Sequence, residues 1–582
     1  MSRNAEVAAL LEEYADLLEA RDVDFKPRAY RDAAQTIADH PEPIEELATD
    51  GLDAITALDG VGEGIGEKVI EYIETGEIQE LEDERERLPI DMEALTRVEG
   101  VGPKTAAALY DALGITTLDE LEAAAEDSEI REVEGFGEKT EQNILERIPF
   151  ARESQKRELL GDARPVADDV LAMLSDVESV ERCEVAGSIR RWRETIGDVD
   201  VLVASEEGAR VGDALGEWER VSSVIETGPT KTSVRIGDMR VDLRVVVPEE
   251  FGSALQYFTG SKDHNIHVRN YAIERDLKIN EYGVFDVSDV EDPDAGQRVG
   301  ELLASETEEN VYDALDLPWI PPELREDRGE IEAAIEEELP ALLERDDVRG
   351  DLHTHTDWSD GDVTVEEMID GAASFGHDYV CVSDHAAGPG VFGDAGLTDE
   401  EVLDQIDVVR EAADEVDIDV FTGIEANVDA EGQVGDVDDD VLDRLDLVVA
   451  SPHSGLGGDE DQTDRLVAAI EHSSVDVLGH PSGRLINERP AMEFDPERLG
   501  RAAAENDVAL EINSNPHRLD LWGSAVQTAI DEGALVVINT DAHRPAEFDF
   551  VRYGVHTARR GWATPDDVLN ARDASGVRDF LH

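Results

Sequence analysis

The chain has 582 residues, more than one hydrophobic core normally organises, so its length predicts several domains. No apolar run reaches the roughly 18 to 20 residues of a membrane span, and the amino terminus is typical of an acidic amphipathic helix rather than a signal peptide. The formal net charge is -90, which opposes compact folding and nucleic-acid binding in dilute salt. At molar salt the Debye length falls to about 3 Å, so we infer the high-salt cytoplasm of a halophile.

The numbers of cysteine, acidic and lysine residues show which sequence patterns carry information about function. Cys183 and Cys381 belong to no CxxC pattern, so we expect neither a disulfide framework nor a cysteine zinc site. With 140 acidic residues, a carboxylate pair alone carries little weight. Lysine, by contrast, is scarce and does not occur after position 278, so the places where it remains are informative.

The first 150 residues repeat one pattern, a helix, a Gly-x-Gly turn and a second helix, at 58–68, 98–105 and 134–141. Such glycines allow a close approach to phosphate and leave amide groups at a helix amino terminus aimed outward. One copy could equally be a tight turn, but repetition with Lys68, Lys104 and Lys139 favours binding. Each copy resembles a helix-hairpin-helix, which binds the DNA backbone rather than a base sequence. The predicted DNA-binding residues are Gly60, Gly62, Gly100, Gly102, Lys104, Gly135, Gly137 and Lys139.

Residues 22–83 resemble the amino-terminal domain of family X repair polymerases. In that domain a lysine attacks an abasic sugar as a Schiff-base nucleophile, and Lys68 matches its position, with Lys26 and Tyr30 near it. Two phosphate-binding lysines of the relatives correspond to Gly64 and Glu80, which weakens the expected pocket. The alternative, a Lys68 that only contacts DNA phosphate, is the favoured one.

Residues 180–246 alternate in the manner of strands and carry three carboxylates. Asp198 and Asp200 share one face of a strand, and Asp242 lies on a later strand, so together they can hold two divalent metals. The order of GS, RR and DxD resembles the nucleotidyltransferase palm of family X. The resemblance implies that Ser188, Arg191 and Gly197 contact the incoming triphosphate, and that the three aspartates bind Mg²⁺ or Mn²⁺.

Residues 257–285 resemble the thumb of the same family. Without the family, a Tyr-Phe pair is more often part of a core than a substrate platform, but the Gly-Ser and the rare Lys262 that follow favour a functional reading. The nucleotide-binding residues implied here are Tyr257, Phe258, Gly260, Asn265 and Arg269.

From residue 346 onward, short apolar strands alternate with helical stretches, which predicts a parallel α/β barrel. Active sites of such barrels lie at the carboxyl ends of the strands. One histidine there would favour a structural role, but six of the 14 histidines follow this placement. The polar residues that end the seven predicted strands are His353 and His355, Asp384 and His385, Glu425, His453, His480, Glu511 and Asn513, and Asp541 and His543.

This segment resembles the PHP (polymerase and histidinol phosphatase) family throughout. Mixed imidazole and carboxylate ligands suit manganese or zinc and can activate water for phosphate-ester hydrolysis. The resemblance implies a site of three Mn²⁺ or Zn²⁺ ions. Its nine implied ligands are His353, His355, Asp360, His385, Glu425, His453, His480, Asp541 and His543.

Taken together, the chain is identified as a member of the bacterial and archaeal family X DNA polymerases with a C-terminal PHP domain. The expected fold class is multidomain α and α/β, ending in a TIM-like (β/α)7 barrel. The predicted domains are a helical domain (1–85), fingers (86–150), a palm (151–250), a thumb (251–318), a linker (319–345) and the PHP domain (346–582).

The resemblance implies gap-filling DNA repair of the base excision type, with 3′–5′ exonuclease or 3′-end phosphoesterase activity. The expected partners are gapped or nicked DNA and dNTPs, bound by a monomer without membrane association. Two alternatives stay open. In one, the PHP domain is a DNA-tethered phosphatase for a small phosphate ester; in the other, the chain is a non-catalytic DNA-binding scaffold, which the three palm aspartates argue against.

Overall fold

A computed structural model describes most of the chain in two compact units. The units are residues 1–158 with 212–242, and residues 159–211 with 243–582. Among the described helices, none combines the length and apolarity that crossing a membrane would require. The described residues are 3–21, 23, 26–38, 44–56, 58, 60–75, 78–96, 98, 100–133, 135–154, 157–237, 239–293, 295–388, 396–435, 437–457 and 460–581.

The amino-terminal part of the first unit is helical. One hydrophobic core runs through it from Val7 to Ala151, so the three glycine turns are built on shared packing. Its helices are α1 (Arg3–Ala20), α2 (Lys26–Ala38), α3 (Ile44–Asp50), α4 (Leu52–Ile55), α5 (Glu63–Thr75), α6 (Gln79–Arg87), α7 (Met92–Thr96), α8 (Pro103–Leu113), α9 (Leu118–Glu126) and α10 (Glu138–Ser154), with a 3₁₀ turn at Ile130–Glu132.

The predicted palm is a five-stranded sheet with the strand order β2-β4-β7-β6-β5, and a separate pair, β1 with β3. Most residues of β6 and β7 are buried, whereas β5 is exposed along its whole length. The elements are β1 (Glu158–Leu159), α11 (Leu160–Ser175), β2 (Arg182–Val185), α12 (Gly187–Arg190), β3 (Thr195–Ile196), β4 (Val199–Ala204), α13 (Gly208–Gly216), β5 (Ser223–Thr227), β6 (Lys231–Ile236) and β7 (Met239–Val246).

The thumb region adds helices and a three-stranded sheet ordered β10-β9-β8. Apolar residues of 319–334, in the first half of the segment predicted as a linker (319–345), pack into the same core as Val268 and Tyr312, so this stretch does not form a free tether. The elements are α14 (Phe251–Thr259), α15 (Lys262–Ile273), β8 (Leu277–Asn280), β9 (Gly283–Asp286), β10 (Glu301–Ala304), α16 (Glu308–Asp313) and α17 (Glu330–Ile335), with 3₁₀ turns at Pro248–Glu250 and Pro322–Leu324.

The last region is a parallel barrel of seven strands in the order β11-β12-β13-β15-β16-β17-β18. A bridge between Thr354 and Ala542 links its two ends, so the barrel is nearly closed and the expected (β/α)7 fold is confirmed. The elements are β11 (Gly350–Asp351), α18 (Val365–Phe375), β12 (Tyr379–Val382), α19 (Asp399–Ala413), β13 (Asp419–Val428), β14 (Val434–Gly435), α20 (Asp439–Leu442), β15 (Leu447–Ser451), α21 (Thr463–Ile470), β16 (Val477–Leu478), α22 (Pro496–Glu505), β17 (Ala509–Asn513), α23 (Gly523–Asp531), β18 (Val536–Asn539), α24 (Val551–Arg560) and α25 (Ala574–Arg578), with 3₁₀ turns at Arg345–Asp347, Pro545–Phe550, Pro565–Asp567 and Leu569–Ala571.

A buried ion cluster ties the palm to the thumb. The Glu308 carboxylate accepts hydrogen bonds from Arg190 at 2.7 Å and from the fully buried Arg325 at 2.7 Å. Burial alone would raise the pKa of Glu308, but the two guanidinium groups outweigh it and lower the pKa to about 2. The ion cluster therefore stabilises the fold above the ordinary pKa of a glutamate, and this contribution disappears as the pH falls towards 2.

We predict that Glu308→Gln lowers the free energy of unfolding at pH 7 by about 3 kcal/mol, because it leaves two buried guanidinium groups without a counter-charge. The difference from the natural chain should shrink as the pH falls from about 4.5 towards 2, since the natural carboxylate is then protonated. Thermal unfolding at several pH values measures it, with the exposed Glu309→Gln as control. A difference that stays constant over this range would contradict the assignment.

Candidate active sites

A single carboxylate, Glu425, lies at the centre of the barrel's polar cluster. The Glu425 side chain is 1 % exposed. Burial disfavours its charged form, but the surrounding imidazoles favour that form and lower the pKa of Glu425 well below the usual value. Its oxygens approach five histidine nitrogens, those of His353 (3.5 Å), His355 (3.7 Å), His385 (2.7 Å), His453 (3.1 Å) and His480 (2.9 Å).

Two aspartates complete the cluster from the other side. Asp541 lies 3.0 Å from a nitrogen of His355, and Asp360 lies 3.3 Å from His385 and 3.4 Å from His543. All nine residues that the sequence suggested as ligands therefore join one connected group. Within it, three overlapping sets bring their ligand atoms within 4.8 Å of one another, namely His355, Asp360, His385 and His543; His353, His355 and Glu425; and His385, Glu425 and His453.

The donor atoms of this cluster suit bound metal ions. Among the described residues, buried atoms without a hydrogen-bond partner include Nε2 of His353, both ring nitrogens of His355, and Oε2 of Glu425. Buried polar atoms without partners are costly, and cations coordinated by imidazole and carboxylate would satisfy them. The cluster therefore fits a divalent metal centre.

Supporting contacts orient the ligands, and the sequence did not assign these roles. Nδ1 of His353 bonds Glu511 at 2.7 Å, which directs Nε2 into the cluster, and Nδ1 of His453 bonds Asn427 at 2.7 Å. Asn513 donates to Asp541 at 3.0 Å. The sequence feature that could have indicated these roles is a polar residue within an otherwise apolar, buried strand, as at Glu511 in β17.

Most of the cluster follows strand ends, as the barrel geometry requires, but Asp360 lies in the longer segment between β11 and α18, and Glu425 is a second exception. His385, His453 and His480 come after β12, β15 and β16. Glu425, however, lies inside β13, which continues to Val428, so its expected place at a strand end is wrong. The strand is longer because residues 427–428 pair with β14.

A second site is a cavity of about 470 Å³ between the palm and the thumb. Asn265 is fixed at its wall, since it accepts from Gln256 at 2.9 Å and donates to the carbonyl of Tyr257 at 2.8 Å. Of the described residues suggested for nucleotide binding, Ser188 and Gly197 do not line it. Those that do are Arg191, Tyr257, Phe258, Gly260, Asn265 and Arg269, joined by Thr259, Lys262 and Ile266.

The palm carboxylates lie on or beside two strands of the sequence, β4 and β7. Asp200 is in β4, whereas Asp198 immediately precedes it. A Cβ atom at Gly187 would lie 2.2 Å from a carboxylate oxygen of Asp200, so the glycine makes room for this side chain. On β7, Arg240 holds Asp242 with contacts of 2.8 and 3.1 Å, and these outweigh burial and lower its pKa.

The three glycine turns share one backbone geometry. Gly60, Gly100 and Gly135 have φ values of 68°, 87° and 96°, a region that favours glycine. A helix begins one residue after the second glycine of each turn, at Glu63, Pro103 and Glu138. A Cβ atom at Gly62, Gly102 or Gly137 would meet no atom within 4 Å, so the turns face open space.

The lysines of these turns are not equivalent, contrary to expectation. Lys104 and Lys139 are exposed second residues of their helices, and the matching residue of the first turn is Gly64. Lys68 lies four residues further on and is buried, with its ammonium 3.1 Å from Glu80. Burial alone would lower the pKa of Lys68, but Glu80 and Tyr30 raise it.

Comparisons with known proteins agree with this arrangement. The chain is 35% identical to the DNA polymerase/3'-5' exonuclease PolX of Bacillus subtilis (strain 168), over 99% of both chains. The chain belongs to the family X DNA polymerases that carry a PHP domain. Family models match it as a helix-hairpin-helix domain (2–78), a SAM-like helix-hairpin-helix tandem (92–148), a DNA polymerase beta thumb (254–326) and a PHP domain (351–515).

Two further relatives each match a part of this family X chain. DNA polymerase lambda of Rattus norvegicus is 23% identical over 56% of each chain. A probable phosphatase of Thermoanaerobacter sp. (strain X514) is 29% identical over 40% of this chain and 93% of its own length.

We predict that His355→Ala in this family X chain lowers bound divalent metal, because the residue takes part in two of the three ligand sets. Metal affinity should fall at least about tenfold, measured by elemental analysis after dialysis against metal-free buffer. The control is His472→Ala, whose nearest carboxylate, that of Asp439, is 3.8 Å away. Full metal retention in His355→Ala would show that this histidine is structural.

A further prediction concerns Lys68, whose ammonium a Schiff base would need in the neutral form. We expect little borohydride-trapped adduct on abasic DNA at neutral pH, because Glu80 and Tyr30 raise the lysine's pKa. Glu80→Gln should increase trapping, and Lys68→Ala should remove the adduct in both backgrounds. Strong trapping by the natural chain, unchanged in Glu80→Gln, would mean that the ion pair does not control the amine.

Proposed function

We propose that the chain fills short gaps in DNA during base excision repair and uses its barrel to remove 3′ nucleotides or 3′-blocking phosphates. The observation that carries this proposal is the connected group of nine ligand-type residues in a chain that also has a cavity of about 470 Å³ between palm and thumb. The relative from Bacillus subtilis, named for both activities and aligned over 99% of each chain, supports it. Trimming produces the 3′-hydroxyl that the palm extends.

For nucleotide addition, we infer that the cavity between palm and thumb binds the incoming dNTP. Arg191, with Ser188 and Gly197, binds the triphosphate, while Tyr257 and Phe258 pack against the sugar and exclude a 2′-hydroxyl. Gly260, Asn265 and Arg269 line the path of the nascent base pair. Asp198, Asp200 and Asp242 hold Mg²⁺ or Mn²⁺, which when bound neutralises the triphosphate and activates the primer hydroxyl.

For hydrolysis, the nine barrel ligands hold Mn²⁺ or Zn²⁺, three ions in all. Bound metal supplies an activated water and stabilises the charge that develops on the phosphate. The protein's part is to fix the ligands, as Glu511 does for His353 and Asn427 for His453. These contacts fix which ring nitrogen of each histidine is free to bind a metal ion, so they determine which atoms can serve as ligands.

DNA binding is assigned to the three glycine turns, acting as a monomer on gapped or nicked DNA. Amides at the starts of α5, α8 and α10, with Lys104 and Lys139, contact phosphates. Phosphate binding through backbone amides depends less on counterion release than binding through many lysines. Such binding suits a chain of net charge -90 in the cytoplasm of a halophile. A lyase role for Lys68 is disfavoured by its ion pair with Glu80.

The similarity to a probable phosphatase, over 93% of that protein, favours one rival for the barrel. In this rival the barrel hydrolyses a free small phosphate ester while the turns hold the chain on DNA. Comparing the rate on a DNA 3′-phosphate with the rate on nucleoside monophosphates separates the two. A preference for free esters would support the rival.

We predict reciprocal losses when each centre is removed. Asp242→Ala should lower nucleotide addition on gapped DNA by about 10²-fold or more, while 3′-phosphate removal continues, because the barrel cluster shares no residue with the palm carboxylates. His355→Ala should do the reverse. The assay uses gapped DNA with either a free or a phosphorylated 3′ end, manganese and high salt.

The matched control for this assay is Asp289→Ala, which removes an exposed carboxylate of the thumb region. It should leave both rates unchanged. If either Asp242→Ala or His355→Ala abolishes both activities while the protein stays folded, the separation of two centres is wrong.

A further inference from the structure

One helix of the barrel, α24, packs against the palm beside the nucleotide cavity. The ring of its His556 stacks on Trp192, with 3.5 Å between ring centroids and an interplanar angle of 7°. His556 and Arg559 both bind the buried carboxylate of Glu323, at 2.7 Å each. Trp192 directly follows Arg191, so the backbone at this cavity residue is anchored to the barrel.

The last residue of α24, Arg560, is linked to Arg191 in two ways, once directly and once through Glu326. Its guanidinium donates to the backbone carbonyl of Arg191 at 2.7 Å. It also donates to Oε1 of Glu326 at 3.0 Å, and the same oxygen accepts from Nε of Arg191 at 3.1 Å. One carboxylate is thus shared between an arginine of the barrel and an arginine of the cavity.

This shared carboxylate determines how much positive charge Arg191 presents. Arg560 is 6 % exposed, so its charge is poorly screened by solvent. With Arg560 present, Glu326 is neutralised by Arg560 and Arg191, with Arg193 a further 3.6 Å contact. A second guanidinium nitrogen of Arg191 bonds the carbonyl of Thr259 at the cavity wall. Without Arg560, Glu326 would draw more fully on Arg191 and add negative charge near the bound triphosphate.

We propose that Arg560, a residue of the PHP barrel, is a positioning residue for nucleotide addition by the palm, because it fixes the backbone of Arg191 and neutralises Glu326. The inference rests on the proposed role of the cavity in binding dNTP. It gives the barrel a part in polymerisation that does not involve its metal ligands.

The test compares Arg560→Ala with Arg552→Ala in single-nucleotide incorporation on gapped DNA. Arg552 lies on the same helix and pairs with Asp168 of α11 at 3.3 Å, so its loss also removes a contact between barrel and palm, but one that touches neither Glu326 nor Arg191. Arg560→Ala should raise the KM for dNTP about tenfold with a smaller change in kcat. Inhibition by inorganic tripolyphosphate should weaken by a similar factor.

A second variant separates charge from packing. Glu326→Gln in the Arg560→Ala background should return KM part of the way, because the unneutralised carboxylate is then gone. If Arg560→Ala does not fold, Arg560→Met takes its place, since it keeps most of the aliphatic stem but loses the charge, and a KM increase that Glu326→Gln relieves is again expected. Hydrolysis of a 3′-phosphate by the barrel serves as the measure of folding.

The outcomes separate this inference from the proposed function. If the natural chain incorporates no nucleotide and does not bind tripolyphosphate, the assignment of the cavity fails. If it does both, and the Arg560 variant matches Arg552→Ala in KM and in tripolyphosphate inhibition, the positioning role is overturned. An unchanged KM in the Arg560→Ala, Glu326→Gln double variant relative to Arg560→Ala would also overturn it.

Discussion

A carboxylate that is removed from water needs a cation or several hydrogen-bond donors beside it, and the second unit is organised around this requirement. Glu308 lies between Arg190 and Arg325, Glu323 between His556 and Arg559, and Glu425 among five histidines. In a chain with 140 acidic residues, the few that are buried mark where separate segments meet.

The same requirement explains how the segment after the thumb is held. Residues 320–330 carry Glu323, Arg325, Glu326 and Glu330, and each is paired within the second unit. Prolines and charges gave this stretch the composition of a connector. Its charged side chains, however, reach inward to arginines and histidines that lie far away in the sequence, and the apolar residues between them fill the core.

Local patterns were sufficient to predict the barrel, because most of its strands are followed by a ligand-type residue and parallel strands bring those ends together. The nine residues that the family resemblance suggested as ligands lie in one connected group. They were insufficient where the outcome depended on a distant partner. Arg191 pairs with Glu326, which lies 135 positions further along the chain. The ion pair of Lys68 with Glu80 alters the chemical behaviour of a lysine that the family resemblance suggested as a nucleophile. The position of Glu425 within β13 depended on a short strand, β14, whose pairing no alternation pattern indicated.

The shared core beneath the three glycine turns bears on how the chain would hold DNA. One hydrophobic cluster supports all of them. A duplex bound at one turn, as proposed, would therefore find the other two already oriented, and their contacts would form without a further loss of rotational freedom. The turns would then act as a multivalent surface, in which a high effective concentration strengthens weak individual contacts. Such avidity depends on the spacing of phosphates along a duplex, so it would favour DNA of one particular curvature over equally charged DNA of another.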